Sequence, residues 1–231
     1  KSAVSKIVTQ MLYGENFTIL RKFRNWYKIK LNADGYVGFV TKKKFTGPLK
    51  PTHKVSVLSA YIYRGPHKKK KLSTKITFAS KICAETKKGP FVKFQKYWIK
   101  NKDLRPINYK DKKKFSRIKI FIGKKYRWGG KHFNGIDCSG LVQLFINFNN
   151  KFCPRDTKDQ LNYFKKRVRL KNIKKNDLIF WKGHVAVILS KNKLIHAYGP
   201  SKKVVIMNIN YTIKKIEKTA NLKIIGIRRI N

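Results

Sequence analysis

Residues 123–145 read GKKYRWGGKHFNGIDCSGLVQLF, two glycine clusters ahead of a single cysteine and an apolar run behind it. The run continues as INF to residue 148, and Leu141, Leu144, Phe145 and Phe148 recur at three- and four-residue spacing, which predicts an amphipathic helix. Asp137 stands where the N-cap belongs, since a short carboxylate accepts hydrogen bonds from the free amides of a first helical turn. Cys138 therefore opens the helix, beside those amides and the positive end of the macrodipole, where the thiolate is expected to be favoured. A thiol so placed is a candidate nucleophile. Nucleophilic catalysis also needs a base, and the base needs an orienting group.

Two histidines downstream suit those roles. DLIFW (177–181), HVAVILS (184–190), KLIHAYG (193–199) and KVVIMNI (203–209) are β-rich runs with tight connections, and LKIIGIRRI (222–230) follows them. A hairpin through KNK (191–193) would set His184 and His196 side by side, one as base and one as orienter. A helix followed by an antiparallel sheet is an α+β arrangement. The turn before the first of these runs, at NDL (176–178), asks Asn176 for a conformation that glycine takes more easily.

The first half of the chain is different in character. SKIVTQMLYGENFTILRKF (5–23), NWYKIKL (25–31) and GYVGFVT (35–41) are short strand-like runs, with NADG (32–35) as a hairpin turn. KITFASKICAE (75–85), PFVKF (90–94) and KYWIKNKDL (96–104) echo that pattern in the same order, so the economical reading is two copies of one small all-β module. The expected division is residues 1–49, 50–107 and 108–231. GPLKPTHK (47–54) supplies the Gly and Pro punctuation of a linker, and KKKKL (68–72) reads as a solvated loop.

Composition narrows the class. Lys and Arg number 57 against 10 Asp and Glu, for a formal charge of +47. Such a balance suits nucleic acid, an anionic surface or an acidic substrate, but the lysines are spread along the whole chain as a compositional bias would spread them. The three cysteines, Cys83, Cys138 and Cys153, are odd in number and lack CxxC spacing, which supports neither a disulfide framework nor a zinc site. A reduced, cytoplasmic compartment is the expectation, with no spanning segment and no signal peptide. The chain opens on Lys1 rather than Met, which leaves room for a leader or a further N-terminal segment.

GKKYRWGG…GIDCSGLVQ, PRDTKDQ (154–160), NDLIFWKGHVAVIL (176–189) and LIHAYG (194–199) resemble, in order, the NlpC-type cysteine peptidases of bacterial peptidoglycan. These are a circularly permuted branch of the papain-like fold, and the resemblance covers residues 108–231. The preceding modules resemble the two bacterial SH3-like domains of the subgroup that cleaves γ-D-glutamyl bonds to diamino acids in murein peptides. PTHKVSVLSAYIYRGP (51–66) is similar to the equivalent stretch of alphaproteobacterial members.

The resemblance implies Cys138 as nucleophile, His184 as general base and His196 as its orienter. Tyr126 would donate its hydroxyl to the oxyanion beside a backbone amide at the helix start. Asp137 and Ser139 would help hold the substrate's amine and carboxylates, and Thr157 would hydrogen-bond substrate. Arg155 is either a substrate contact or a structural ion-pair partner. Glu15, in LYGE, would reach from the first module into the cleft and pair with the free ammonium of an N-terminal L-alanine, with Tyr36 walling that pocket or packing in a core. The implied activity is hydrolysis of free murein peptides in cell-wall recycling, without metal or cofactor. The alternatives are a hydrolase of intact cell wall and a basic protein that binds nucleic acid or another polyanion.

Overall fold

A computed structural model describes residues 5–43 and 45–230. Strands β1 (Phe17–Lys22), β2 (Trp26–Leu31) and β3 (Val37–Thr41) form a three-stranded antiparallel sheet, with the turn at residues 32–35 joining β2 to β3. A second all-β unit follows, built from β4 (His53–Val55), β5 (Ser59–Tyr63), β6 (Lys71–Thr77), β7 (Lys81–Ile82), β8 (Lys87–Lys88), β9 (Phe91–Phe94), β10 (Tyr97–Lys100) and β11 (Leu104–Pro106). Its sheets run in the orders β6-β5-β10-β9-β8 and β11-β4-β7. They close over Val55, Ile62, Ile82, Phe94, Ile99 and Leu104.

Two sequence readings change here. GPLKPTHK is not linker throughout, because His53–Val55 is a central strand and both Lys54 and Val55 are buried. KKKKL is a 3₁₀ turn running into the long strand β6, although its lysines are exposed as expected.

The remainder contains the short hairpin β12 (Lys131–His132) and β13 (Gly135–Ile136), then α1 (Cys138–Phe148) and α2 (Thr157–Tyr163). The sheet that follows comprises β14 (Leu178–Trp181), β15 (His184–Ile188), β16 (Lys193–Tyr198) and β17 (Lys203–Asn208), then α3 (Ile209–Ala220) and β18 (Gly226–Arg228). It is antiparallel in the order β17-β16-β15-β14-β18. Alternate side chains face two layers, as the two-residue period of a strand requires. Leu178, Phe180, Val185, Val187, Ile195 and Ala197 join the core around α1. Ile179, Trp181, Ala186, Ile188 and Leu194 pack with Ile209 and Ile216 of α3. The α+β, papain-like layout is thus present, with an all-β N-terminal half ahead of it.

Helix α1 departs from the amphipathic expectation. Of its eleven residues all but Asn147 are buried. Its outer face is covered by the second β unit, whose Phe78 stacks on Phe145 and Phe148 with ring centroids 4.7 and 4.6 Å apart. Asn176 takes the left-handed conformation its position demands, with φ of 75°.

Candidate active site

The glycines ahead of Cys138 are explained by close approaches. Gly129 has φ of +71°, and a Cβ there would lie 2.4 Å from the carbonyl oxygen of Ile7. At Gly130 a Cβ would lie 2.5 Å from the Gly135 carbonyl oxygen. The RWGG turn is therefore pressed between the N-terminal segment and its own hairpin, and no side chain fits.

Asp137 caps α1, its Oδ1 accepting from the Gly140 amide at 2.6 Å, while Oδ2 accepts from the Gly129 amide at 2.8 Å. Arg155 lies across the same carboxylate, Nη2 donating to Oδ2 at 2.6 Å and Nη1 to Oδ1 at 3.1 Å. Arg155 also donates to the hydroxyls of Ser139 at 2.9 Å and of Thr9 at 3.0 Å. Asp137, Ser139 and Arg155 are all buried, and Asp137 already receives a full set of donors. Both Asp137 and Ser139 are thus tied into the support of the helix start. Arg155 is a structural ion-pair partner.

Cys138 is buried against the backbone on both sides of His184. Its Sγ donates to the Gly183 carbonyl at 3.9 Å, while the Val185 amide, the Thr157 hydroxyl and the Ser139 amide point at the sulfur. Those three donors favour the thiolate, but burial and then the Asp137 charge outweigh them, and the thiol is pushed up to about 11. The helix-start effect expected from sequence is real in direction and too small to prevail. Thr157 touches the nucleophile itself.

His184 Nε2 lies 2.8 Å from His196 Nδ1 across the β15–β16 pairing, and His196 Nε2 lies 3.2 Å from the Met207 thioether. The geometry selects a tautomer chain. A thioether has no proton to give, so Nε2–H of His196 donates to it and Nδ1 of His196 accepts from Nε2–H of His184. The lone pair of His184 is then left on Nδ1. Burial pushes His184 down to about 4, and burial followed by the His184 charge pushes His196 down to about 2, so both rings are neutral near pH 7. Tyr198 stacks on His196 with the rings 4.7 Å apart and 9° from parallel, which holds the orienter in plane. If His196 serves only to orient, His196→Asn keeps an acceptor for His184 and should retain roughly a tenth of wild-type kcat, whereas His196→Leu should retain far less. Steady-state rates of the two variants check the ranking.

Tyr126 packs at the same core, half-buried. Burial, then Cys138 and Asp137, push its hydroxyl up to about 12, so it stays a donor. Tyr36 donates to Asp156 Oδ2 at 3.3 Å, bridging the first sheet to the residue beside Thr157. Glu15 is engaged within the fold. Its carboxylate pairs with Lys131 Nζ at 3.2 and 3.4 Å and accepts from the Leu12 amide at 2.8 Å. The Lys131 side chain is 1% exposed and that of Glu15 9%, so the carboxylate is the counter-charge of a buried lysine. An ammonium-binding role for Glu15 would have to share this carboxylate with Lys131.

Sequence reasoning missed Lys131, Asp156, Thr9 and Gln160, whose Nε2 donates to the carbonyls of Ser139 and Pro154, both at 2.9 Å. All four stand inside quoted stretches, Thr9 in residues 5–23, Lys131 in 123–145, and Asp156 and Gln160 in PRDTKDQ, but none was singled out there. Among the described residues no cluster of His, Cys, Asp or Glu could hold a metal ion, and no helix is long and apolar enough to cross a membrane.

Comparison with known proteins bears on the domains and the fold. Residues 123–221 match the NlpC/P60 family and residues 2–45 match the bacterial dipeptidyl-peptidase SH3 domain. Dipeptidyl-peptidase 6 of Lysinibacillus sphaericus is 38% identical over 77 residues, covering 33% of this chain and 28% of that enzyme. The γ-D-glutamyl-L-lysine dipeptidyl-peptidase of Bacillus cereus is 24% identical over 242 residues, covering 89% of this chain and 72% of the relative. The crystal structure of an NlpC/P60 family protein from Bacillus cereus superposes with a TM-score of 0.82 at 25% identity, covering 96% of this chain and 81% of the other. The chain carries an NlpC/P60 domain behind an N-terminal bacterial SH3 domain.

Proposed function

We propose that the protein is a cysteine endopeptidase that hydrolyses the γ-D-glutamyl bond to a diamino acid in free murein peptides. The carrying observation is the Cys138 sulfur at the start of α1, met by the Thr157 hydroxyl and two backbone amides and lying against the backbone of Gly183 and Val185, between which stands His184 of the His184–His196 pair. The name of the Bacillus cereus relative supports the bond specificity. Thiol and imidazole are both neutral near pH 7, so proton transfer accompanies attack. Cys138 Sγ bonds to the carbonyl carbon as its proton passes to Nδ1 of His184. The oxyanion accepts from Tyr126 and a backbone amide at the helix start. Collapse breaks the amide bond, the His184 proton leaves with the diamino acid's amine, and water then releases the acyl group by the same route.

With Glu15 committed to Lys131, the charge for a substrate ammonium falls to Asp156. Asp156 is exposed, precedes the Thr157 that touches Cys138, and is held by Tyr36 of the first module. A free N-terminal alanine would pair with this carboxylate, and an acylated one would lose the pair. Asp156→Asn should lower kcat/KM on L-Ala-γ-D-Glu-diaminopimelate roughly ten- to a hundredfold, the worth of one charge-assisted contact. On the N-acetylated tripeptide wild type and variant should be equally poor. Mass spectrometry of the digests is the readout. Wild type that cuts both peptides equally well has no amine pocket and is better read as a hydrolase of intact wall.

A further inference from the structure

We propose that Lys54 is a positioning residue of this active site, holding the C-terminal end of α1 from the second β unit and so setting the place of Cys138 at the other end. The inference rests on Cys138 as the nucleophile. Lys54 is 1% exposed. Its Nζ donates to the Phe148 carbonyl at 2.5 Å, the Tyr109 carbonyl at 2.6 Å and Asn150 Oδ1 at 3.0 Å, and it lies 4.7 Å from the centre of the Phe148 ring. All three ammonium protons are thereby used. Phe148 is the last residue of α1, where carbonyls lack intrahelical partners and the macrodipole is negative.

None of its hydrogen-bond partners is a carboxylate. The charged groups around it are Lys81, Asp111 and Lys110, and Asp111 is engaged by Arg117 at 2.9 Å. Glu15, Lys131 and Lys151 line the same cavity, with Glu15 committed to Lys131. An ammonium held by neutral acceptors alone is a poor stabiliser, and an apolar side chain of similar volume would fill the space without the desolvation penalty. It does fix a geometry. Three acceptors, two on or next to the helix end and one from the segment before it, meet at one atom.

A helix of eleven residues is roughly 16 Å long. Because α1 is buried on nearly every face, it can shift only as a rod, so slack at Phe148 is felt at Cys138. The groups placed around the substrate amine, Asp156 and Tyr36, make none of the Lys54 contacts. Loss of Lys54 should therefore lower kcat and spare KM.

Titration separates this role from plain support of the fold. Burial, with Lys81 and Lys110 adding and Asp111 opposing, pushes Lys54 down to about 8. Above that pH the neutral amine has two N–H groups for three acceptors, and the clamp loosens. Stability moves the other way. Between about pH 8 and the ordinary lysine value near 10.4 the unfolded chain holds this proton and the folded chain does not, so the Lys54 contribution to stability rises with pH.

The test measures kcat and KM on the free tripeptide from about pH 6.5 to about pH 10, with thermal unfolding alongside, for wild type, Lys54→Met and Lys54→Arg. Wild-type kcat should fall through an alkaline limb near pH 8 without a matching loss of melting temperature. Lys54→Met should lose roughly ten- to a hundredfold in kcat at pH 7 with KM within about twofold, as for a small misplacement of a reacting group, and should lack the limb. Lys54→Arg should recover part of kcat and also lack the limb. Wild-type kcat that stays flat through pH 8, or a folded Lys54→Met variant with wild-type kcat, overturns the proposal. If Lys54→Met does not fold, the wild-type limb and the arginine variant decide. An active Cys138→Ala variant would instead overturn the nucleophile on which the inference rests.

Discussion

Replacing Cys138 with alanine is expected to lower turnover of the γ-D-glutamyl tripeptide by at least about 10⁴-fold, with His184→Ala close behind, since nucleophile and base act as one unit. The double variant should be little worse than either single one, and steady-state assays of all three test this directly. The same geometry sets the pH profile. The acid limb of kcat/KM reports the free enzyme's base, and His184 is pushed down to about 4, so the limb should lie well below the ordinary imidazole value near 6.5. Below that limb His184 binds a proton and can no longer accept one from the thiol. Because burial holds the Cys138 thiol near 11, iodoacetamide should label it slowly at neutral pH, no faster than an ordinary thiol. A preformed thiolate–imidazolium pair would give the opposite result, rapid labelling and an acid limb that tracks the thiolate.

What could be read from sequence was whatever is written in local spacing. The run from Cys138 to Phe148 forms the expected helix with Asp137 as its cap, and the two histidines meet across the expected hairpin. What escaped depends on residues far apart in the chain. Arg155 and Thr9 are 146 positions apart, and Lys131 and Glu15 are 116 apart. A buried lysine is also invisible by type in a chain with 57 basic residues, so Lys54 passed for linker and Lys131 was not singled out. The helix shows a similar gap. Its apolar stripe predicted one buried face, but Phe78 from the second β unit covers the other, and nothing local to α1 encodes that neighbour. The thiol was misjudged for the same reason, since a helix start is local while the desolvation that overrides it comes from the assembled fold.

Glu15→Gln is the second large effect expected, and it falls on stability rather than on substrate. The mutation leaves the Lys131 ammonium, 1% exposed, without its counter-charge, and breaking a buried pair by removing one partner typically costs about 3–5 kcal/mol. For a chain of this size that corresponds to a melting temperature lower by roughly 6–20 °C. The double variant Glu15→Gln/Lys131→Met should recover most of the loss, because an apolar side chain in the lysine's place has no charge to leave stranded. Scanning calorimetry of the four proteins closes the cycle. A glutamate that served to receive the substrate's ammonium would behave differently. Its loss would leave the melting temperature unchanged, would depress kcat/KM on the free tripeptide alone, and would not be repaired by Lys131→Met. Both carboxylate oxygens already face Lys131, so the cycle should report a coupling of several kcal/mol within the fold.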